Sequence, residues 1–149
     1  MASPGGWRAG RWRYAHRNRK HNRWAVALLD VQPQDHILEM GFGPGLAIRG
    51  LARRATDGFV LGIDHSEVMV RQAAVRNRTD VEQGRVGLRL GSALDVHDFS
   101  EIFDKALVVN NFGMWPEPEV RLKDLAGRCG RAVEWRLSRS RAVLVPPPR

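Results

Sequence analysis

The sequence is poor in cysteine, with Cys129 as its single example in 149 residues. One thiol excludes a disulfide within the chain and a zinc site with four cysteine ligands. No run approaches the roughly 20 apolar residues that cross a bilayer, and no apolar segment typical of a secretory signal follows the arginine-rich start. The His, Asp and Glu residues show no spacing typical of metal ligands. The sequence therefore predicts a cytoplasmic protein with no membrane partner and no metal site.

Acidic residues are absent from residues 1–23, which contain seven Lys or Arg. Residues 24–120 hold nine basic and fourteen acidic residues, whereas residues 121–149 hold eight basic and two acidic residues. The formal net charge of +8 is therefore carried by two basic ends around an acidic middle with a net charge of −5. This distribution makes the high isoelectric point weak evidence for a nucleic-acid partner, and we expect none.

The basic N-terminal arm, residues 1–23, places Trp12 and Tyr14 among arginines. Interleaved aromatic and cationic residues are typical of RNA-binding arms. They also fit a solvated helix, which we favour because charge runs commonly form exposed faces. We therefore divide the chain into this arm, a globular domain at residues 24–126, and an Arg- and Pro-rich tail at residues 127–149.

Apolar periodicity predicts helices and strands in alternation. The predicted helices run from Tyr14 to Leu29, from Leu46 to Ala55 and from Ser66 to about Asn77, and the predicted strands are His36 to Met40, Phe59 to Asp64, Val86 to Leu90 and Ala106 to Val109. This order predicts an α/β fold with a doubly wound, Rossmann-like, mostly parallel sheet and helices on both faces. Beyond Val120 we expect one short helix and at most one further strand, Ala142 to Val145, because the prolines that follow cannot continue a ladder.

Gly41, Gly43 and Gly45 form a G-x-G-x-G turn between the first strand and the next helix. Ligands bind beyond the carboxyl ends of parallel strands, and glycine lets a ligand lie against the backbone. A dinucleotide fingerprint would need its third glycine where Leu46 stands, and Pro44 removes an N–H that a pyrophosphate would use. The turn therefore favours a ligand without phosphate over a nicotinamide dinucleotide.

Two carboxylates flank this turn. Asp64 ends the second strand 19 residues after Gly45, where a carboxylate can accept hydrogen bonds from both hydroxyls of a ribose. Glu39 lies two residues before Gly41, and its charge suits a ligand that carries an ammonium or a sulfonium. Taken singly, Asp64 could cap the following helix and the glycines could form a plain tight turn. Together they predict a nucleoside site.

Four segments in this order and spacing resemble the class I S-adenosylmethionine-dependent methyltransferases, most closely the bacterial small-molecule methyltransferase-domain type. They are ILEMGFGPG at residues 37–45, GID at residues 62–64, GSA at residues 91–93 and FDKALVVN at residues 103–110. The likeness covers about residues 22–120. It implies an enzyme that transfers a methyl group from S-adenosyl-L-methionine to a small-molecule acceptor.

The resemblance also assigns roles around the first two strands. Gly41, Gly43 and Gly45 would hold the methionine half of the cofactor, and Glu39 would contact its ammonium through water. Asp64 would bind the ribose hydroxyls. The arm would fold over the mouth of the cofactor site.

Further residues are assigned to the adenine and to the acceptor. His65 would lie beside the adenine ring, and Ser92 and Ala93 would meet its edge, where relatives often carry an acid instead of Ser92. Asn110 would lie near the transferring methyl group, and residues 111–116 would line the acceptor side.

The reaction needs few protein groups, because the cofactor supplies the electrophile and a base is needed only if the acceptor loses a proton. Neither His36 nor His97 has a spacing that marks it as such a base, so we name no catalytic residue.

The C-terminus departs from the family. Relatives continue through a Pro-Gly-Gly-type turn, a fifth strand, a helix and an antiparallel pair of strands. This sequence has GRCGR at residues 127–131, followed by 18 residues dominated by Arg and Pro. It predicts a truncated or divergent end that lacks the family's last strands. An inactive cofactor-binding fragment and an RNA-binding protein that uses the arm are therefore the alternative functions.

Overall fold

The computed structural model describes residues 19–109, 114–129, 134–138 and 141–145. The first helix, α1, is described over residues 19–28. The other elements are β1 (His36–Met40), α2 (Leu46–Ala52), β2 (Phe59–Asp64), α3 (Glu67–Arg76), α4 (Arg78–Glu82), β3 (Val86–Leu90), a 3-10 helix (Ala93–Asp98), β4 (Lys105–Val109), α5 (Pro118–Gly127), β5 (Glu134–Ser138) and β6 (Arg141–Val145). None of the helices in these ranges has the length and apolar character needed to cross a membrane.

The strands form one sheet in the order β3-β2-β1-β4-β6-β5. β1 pairs in parallel with both β2 and β4, and β2 pairs in parallel with β3. The chain therefore leaves β1 in one direction to build β2 and β3, and it crosses back to build β4 on the other side. In such sheets ligands bind in the crevice where the strand order reverses, beyond the carboxyl ends of the strands.

Helices cover both faces of the sheet because successive residues of a strand point to opposite sides. Ile37 of β1 packs in a buried cluster with side chains of α1, α2 and α3, whereas Leu38 packs in a second cluster with the 3-10 helix and α5. The predicted α/β fold, with its doubly wound and mostly parallel sheet, is confirmed.

The sheet contains two strands after α5, so the expectation of at most one is wrong. β6 pairs antiparallel with β4, and β5 pairs antiparallel with β6. The sequence of β5 alternates Trp135 and Leu137 with charged or polar residues, a period of two that is typical of strands. The many arginines of this segment obscure that signal. A strand hairpin therefore extends the sheet beside β4.

A buried ion pair lies at the amino ends of β1 and β4, on the side of the sheet opposite the glycine turn. Lys105 Nζ is 2.7 Å from Asp35 Oδ2, and the two side chains are only 7% and 4% exposed. Lys105 Nζ also donates to the carbonyl oxygen of Asp30, and Asp35 Oδ2 accepts from the backbone N–H of Gln32 at 2.7 Å. These contacts fasten the connection between α1 and β1 to the start of β4.

Candidate functional site

The glycine turn after β1 adopts a backbone that side chains disfavour. Gly41, Gly43 and Gly45 have φ angles of 72°, 56° and 84°. In this left-handed region a Cβ clashes with the following carbonyl, so glycine is the residue that fits. The N–H of Gly41 donates to the carbonyl of Ile63 in β2 at 2.7 Å, which ties the start of the turn to the neighbouring strand.

Asp64 fixes the middle of the turn from the end of β2. Its Oδ2 accepts a hydrogen bond from the N–H of Gly43 at 2.8 Å, and its Oδ1 accepts one from the N–H of Ser66 at 2.9 Å. The residue is 5% exposed. Because each carboxylate oxygen carries two lone pairs, each can still accept a hydrogen bond from a ligand. Helix capping belongs to Ser66, whose hydroxyl accepts from the N–H of Met69 at 3.4 Å.

Asn77 and Arg76 hold the turn from behind, a role that the sequence did not predict. Asn77 is 2% exposed, and its Nδ2 donates to the carbonyls of Gly45 at 3.1 Å and Ala73 at 2.9 Å. Arg76 Nε donates to the carbonyl of Pro44 at 2.9 Å. In the sequence, the only local feature of Asn77 is that the predicted helix ends near it. Its contact with Gly45 joins residues 32 positions apart, which no local pattern reveals.

Gly45 contacts helix α3 rather than open space. A Cβ added there would lie 2.7 Å from the Cβ of Ala73 and from Nδ2 of Asn77, too close for any side chain. A Cβ added at Gly43 would meet no atom within 4 Å. The two glycines therefore have different structural roles. Gly45 allows α3 to pack closely against the turn, and Gly43 leaves the space above the turn open.

Glu39 lies in β1 beneath this space and is 2% exposed. Its Oε2 has no hydrogen-bond partner among the described residues. Burial raises the pKa of the Glu39 carboxyl well above its usual range, and the negative charge of Asp64 raises it further. A buried hydrogen-bond acceptor without a partner costs folding free energy. Such a group is typical of a site where a ligand or a water molecule binds.

Glu39→Gln is expected to remove the part of the pH dependence of the folding free energy that comes from the Glu39 carboxyl. The pKa of Glu39 is higher in the folded chain than in the unfolded chain, so the folded state binds more protons. Stability therefore falls as the pH rises from the ordinary carboxyl range towards the folded-state pKa, by up to about 1.4 kcal/mol per pH unit in that window. Glutamine has no such proton to lose. Urea unfolding of both proteins at about pH 4 and about pH 8 measures the difference, and an equal difference at both pH values would contradict this prediction.

A cavity of about 570 Å³ opens at the carboxyl ends of the strands. Its wall includes six of the predicted residues, namely Gly41, Gly43, Asp64, His65, Ser92 and Ala93. It also includes Trp115 and Pro116, which were expected to face an acceptor, and Met69 and Leu94, which were not predicted. Glu39 and Gly45 lie outside the lining, and Asn110 lies outside the described residues, as do residues 111–113.

Ser92 and His65, which were both predicted to contact the adenine, differ in how strongly the surrounding structure holds them. The Ser92 hydroxyl accepts from the N–H of Leu94 at 3.1 Å, and the N–H of Ser92 donates to Asp95 Oδ2 at 2.6 Å, so Ser92 caps the 3-10 helix. The His65 side chain is 80% exposed, with Nδ1 3.8 Å from Asp64 Oδ1. His65 is therefore the more movable group at the rim.

The fold and the cavity define a doubly wound α/β protein with a cavity at the topological switch point of its sheet. The methyltransferase domain family matches residues 37–132, which contain β1 from its second residue, all of β2 to β4 and every residue of the cavity wall. The chain belongs to this family.

Curated relatives agree with this assignment. The chain is 33% identical over 108 residues to an uncharacterized methyltransferase, YdaC, of Bacillus subtilis (strain 168), which covers 72% of this chain and 58% of the relative. It is 34% identical over 97 residues to a demethylmenaquinone methyltransferase of Symbiobacterium thermophilum, with coverage of 64% and 36%. The chain thus spans less than two thirds of the length of these relatives.

Solved structures share the fold at low identity. The plantazolicin methyltransferase BpumL in complex with SAH superposes with a TM-score of 0.66 at 18% identity, over 89% of this chain and 53% of that one. Coclaurine N-methyltransferase, bound to N-methylheliamine and SAH, gives a TM-score of 0.66 at 16% identity, over 76% and 33% of the two chains. At such identities the likeness concerns the fold.

Proposed function

We propose that this chain binds S-adenosyl-L-methionine and transfers its methyl group to a small-molecule acceptor. The observation that carries the proposal is the Asp64 carboxylate. It is held by the N–H groups of Gly43 and Ser66 at the edge of a cavity, with open space above Gly43. Family membership and the SAH-bound relatives support the same ligand class.

The residues fit the nucleoside half of this cofactor. Asp64 keeps a free lone pair on each oxygen, so it can accept hydrogen bonds from both ribose hydroxyls. The adenine would lie between the rim at His65 and the loop at Ser92 and Ala93. Because the Ser92 hydroxyl already accepts from Leu94, its contact with the exocyclic amine would be secondary.

The residues also fit the amino-acid half. Gly41 and Gly43 line the cavity without side chains, so the methionine part of the cofactor could lie against their backbone. The unpartnered Oε2 of Glu39 supplies a hydrogen-bond acceptor beneath the turn, which suits the cofactor's ammonium through a bridging water, and a bound cation would favour the charged form of this carboxyl. Binding a cation here would offset the repulsion between Glu39 and Asp64.

When bound, the cofactor supplies an electrophilic methyl group on its sulfonium. The chain's own part is to orient the acceptor and to exclude water. Met114, Trp115 and Pro116 give the cavity an apolar wall on the β4 side, where the acceptor would approach. The cavity volume of about 570 Å³ lies within the usual range for small-molecule sites. We therefore propose an acceptor with apolar surface, and we assign no general base.

The direct test is thermal unfolding of the full chain with and without S-adenosyl-L-homocysteine. At a ligand concentration 100-fold above Kd, we expect a stabilisation of about 2.7 kcal/mol, or about 5–10 °C in Tm. Radiolabelled methyl transfer from S-adenosyl-L-methionine to a panel of apolar acceptors tests the activity. Binding without transfer would identify an inactive cofactor-binding fragment, and no shift at millimolar ligand would refute the proposal.

Two glycine variants make this test specific. Gly43→Ala places a Cβ in the open space of the cavity, so we expect ligand affinity to fall about 5- to 150-fold, the equivalent of 1–3 kcal/mol of steric cost. Gly84→Ala is the matched control, since Gly84 has φ of 72°, also has no atom within 4 Å of an added Cβ, and does not line the cavity. Both variants should lose similar stability, but only Gly43→Ala should lose affinity. Equal affinities would contradict the placement of the ligand.

A further inference from the structure

The basic residues of this chain differ in whether they have acidic partners. Three arginines on α3, α4 and β3 pair with acids close by: Arg71 with Glu67 at 3.3 Å, Arg78 with Glu82 at 2.7 Å and Arg89 with Glu101 at 2.7 Å. The exposed cations are Arg19, Lys20 and Arg23 on α1, Arg49 on α2, and Arg53 and Arg54 in the turn directly after α2. Among the described residues none of these six takes part in an ion pair.

These six cations, named here the α1–α2 basic patch, lie on two adjacent helices and in the turn that follows α2. A Cβ added at Gly50 of α2 would lie 3.5 Å from Val26 of α1 and 3.9 Å from Nη1 of Arg54. Both helices bury their apolar side chains in the same core cluster, and their cations are exposed. Residues 19–29 and 46–56 contain no acid.

Part of the patch weakens the helix that carries it. Arg19 and Arg23 are like charges four residues apart on α1, an arrangement that costs a helix about 0.2–0.5 kcal/mol per pair. Arg49 and Arg53 lie in the last turn of α2 and at its C-cap, where the helix dipole favours cations. By contrast, α3 and α4 contain opposite charges at the same spacing. The patch therefore contributes no ion-pair stability of its own, and its concentrated charge suits an anionic partner.

We propose that the α1–α2 basic patch binds single-stranded RNA through its phosphates, which departs from the expectation of no nucleic-acid partner that the charge distribution along the sequence supported. Unpaired arginines on a rigid surface release counterions from a phosphate backbone, which is the main source of such affinity. Trp24, on the same helix as three of the cations, is 43% exposed and offers a ring for base stacking. The sequence before α1 continues the pattern, with four arginines, three aromatic residues and no acid in residues 1–18.

An anionic membrane is the less favoured partner for this patch. Helices that lie on bilayers insert an apolar face between the headgroups. Val26 of α1 and Ile48 and Leu51 of α2 are at most 2% exposed and belong to the protein core, and Trp24 is the one large apolar side chain that the described part of these helices exposes. The patch therefore offers charge and a single ring rather than an apolar face that could insert. Its site is also separate from the cavity, so RNA binding does not depend on the proposed methyl transfer.

The test uses the full chain and a fluorescent single-stranded RNA of about 20 nucleotides, followed by anisotropy between about 50 and 200 mM salt. The patch variant is Arg19→Gln/Arg23→Gln/Arg53→Gln. The control is Arg71→Gln/Arg78→Gln/Arg89→Gln, which removes the same number of charges from residues with acidic partners. We expect the affinity of the patch variant for RNA to be about tenfold lower or more at the lower salt concentration. The slope of log K against log salt should be smaller in magnitude by about 2. The control should stay within about threefold of wild type.

Three results would overturn the proposal: no RNA binding by the wild-type chain at the lower salt, equal losses in both variants, or binding to phosphatidylserine vesicles that RNA does not displace. Thermal unfolding should show the patch variant to be folded, with a Tm close to that of wild type, because substitutions of exposed residues usually change stability little. If it is not folded, Lys20→Gln/Arg49→Gln tests the same patch with its other cations.

Discussion

Replacing Asp64 with alanine is expected to weaken the binding of S-adenosyl-L-homocysteine by about 10²- to 10⁴-fold. Two hydrogen bonds from ribose hydroxyls to a carboxylate contribute about 1.5–3 kcal/mol each, and both are lost. The variant also removes the acceptor of the Gly43 N–H, so the turn that faces the ligand loses its anchor to β2. Isothermal titration calorimetry on the full chain measures the change.

Two further variants separate ligand contact from structural damage. Asp64→Asn keeps one acceptor oxygen and should lose an intermediate amount of affinity. Asp104→Ala is the matched control, because the Asp104 carboxylate also accepts a backbone hydrogen bond, from the N–H of His36 at 2.8 Å, but lies at the amino end of the sheet. It should lower stability and leave affinity within about threefold. If Asp64→Ala bound the ligand as well as Asp104→Ala does, the ribose assignment would be wrong.

The juxtaposition of Asp64 with the glycine turn could be predicted from the sequence for a simple reason. Parallel strands place their carboxyl ends at one edge, so the residues that follow β1 and end β2 must meet if both segments are strands of one sheet. The apolar runs at residues 36–40 and 59–64 match the observed β1 and β2 residue for residue. Strand periodicity and chain direction were sufficient to bring Asp64 to Gly43.

Contacts between distant side chains were not predictable in this way. Asn77 supports Gly45 across 32 positions, and Lys105 reaches the carbonyl of Asp30 across 75. Neither residue type at its position carries a local signal for its partner, because helix ends and strand starts commonly carry Asn and Lys. That the α1–α2 basic patch has no ion pair within the described part of the chain is equally hidden, since an ion pair depends on where acids lie in space. The distribution of charge along the chain can be read from the sequence, but the fold is needed to show which charges have partners.

Lys105→Met is expected to destabilise the chain by about 3–5 kcal/mol, because it leaves the buried carboxylate of Asp35 without its counter-ion. A single domain has a total stability of only about 5–15 kcal/mol, so this change should lower Tm by about 10 °C or more. Methionine has nearly the same length and apolar stem as lysine, which limits the contribution of a cavity. Urea unfolding followed by circular dichroism measures the loss.

Arg78→Met is the matched control for this pair. The Arg78–Glu82 pair has the same 2.7 Å separation as Lys105–Asp35, but its side chains are 78% and 60% exposed. Solvent screens such a pair, so its loss should cost no more than about 0.5 kcal/mol. The double variant Lys105→Met/Asp35→Asn should recover part of the loss, since asparagine can accept the Gln32 N–H without carrying a buried charge. Equal losses in the Lys105 and Arg78 variants would show that burial does not set the contribution of an ion pair, whereas a large difference would show that the buried pair, at the end of the sheet remote from the cavity, contributes more than the exposed one.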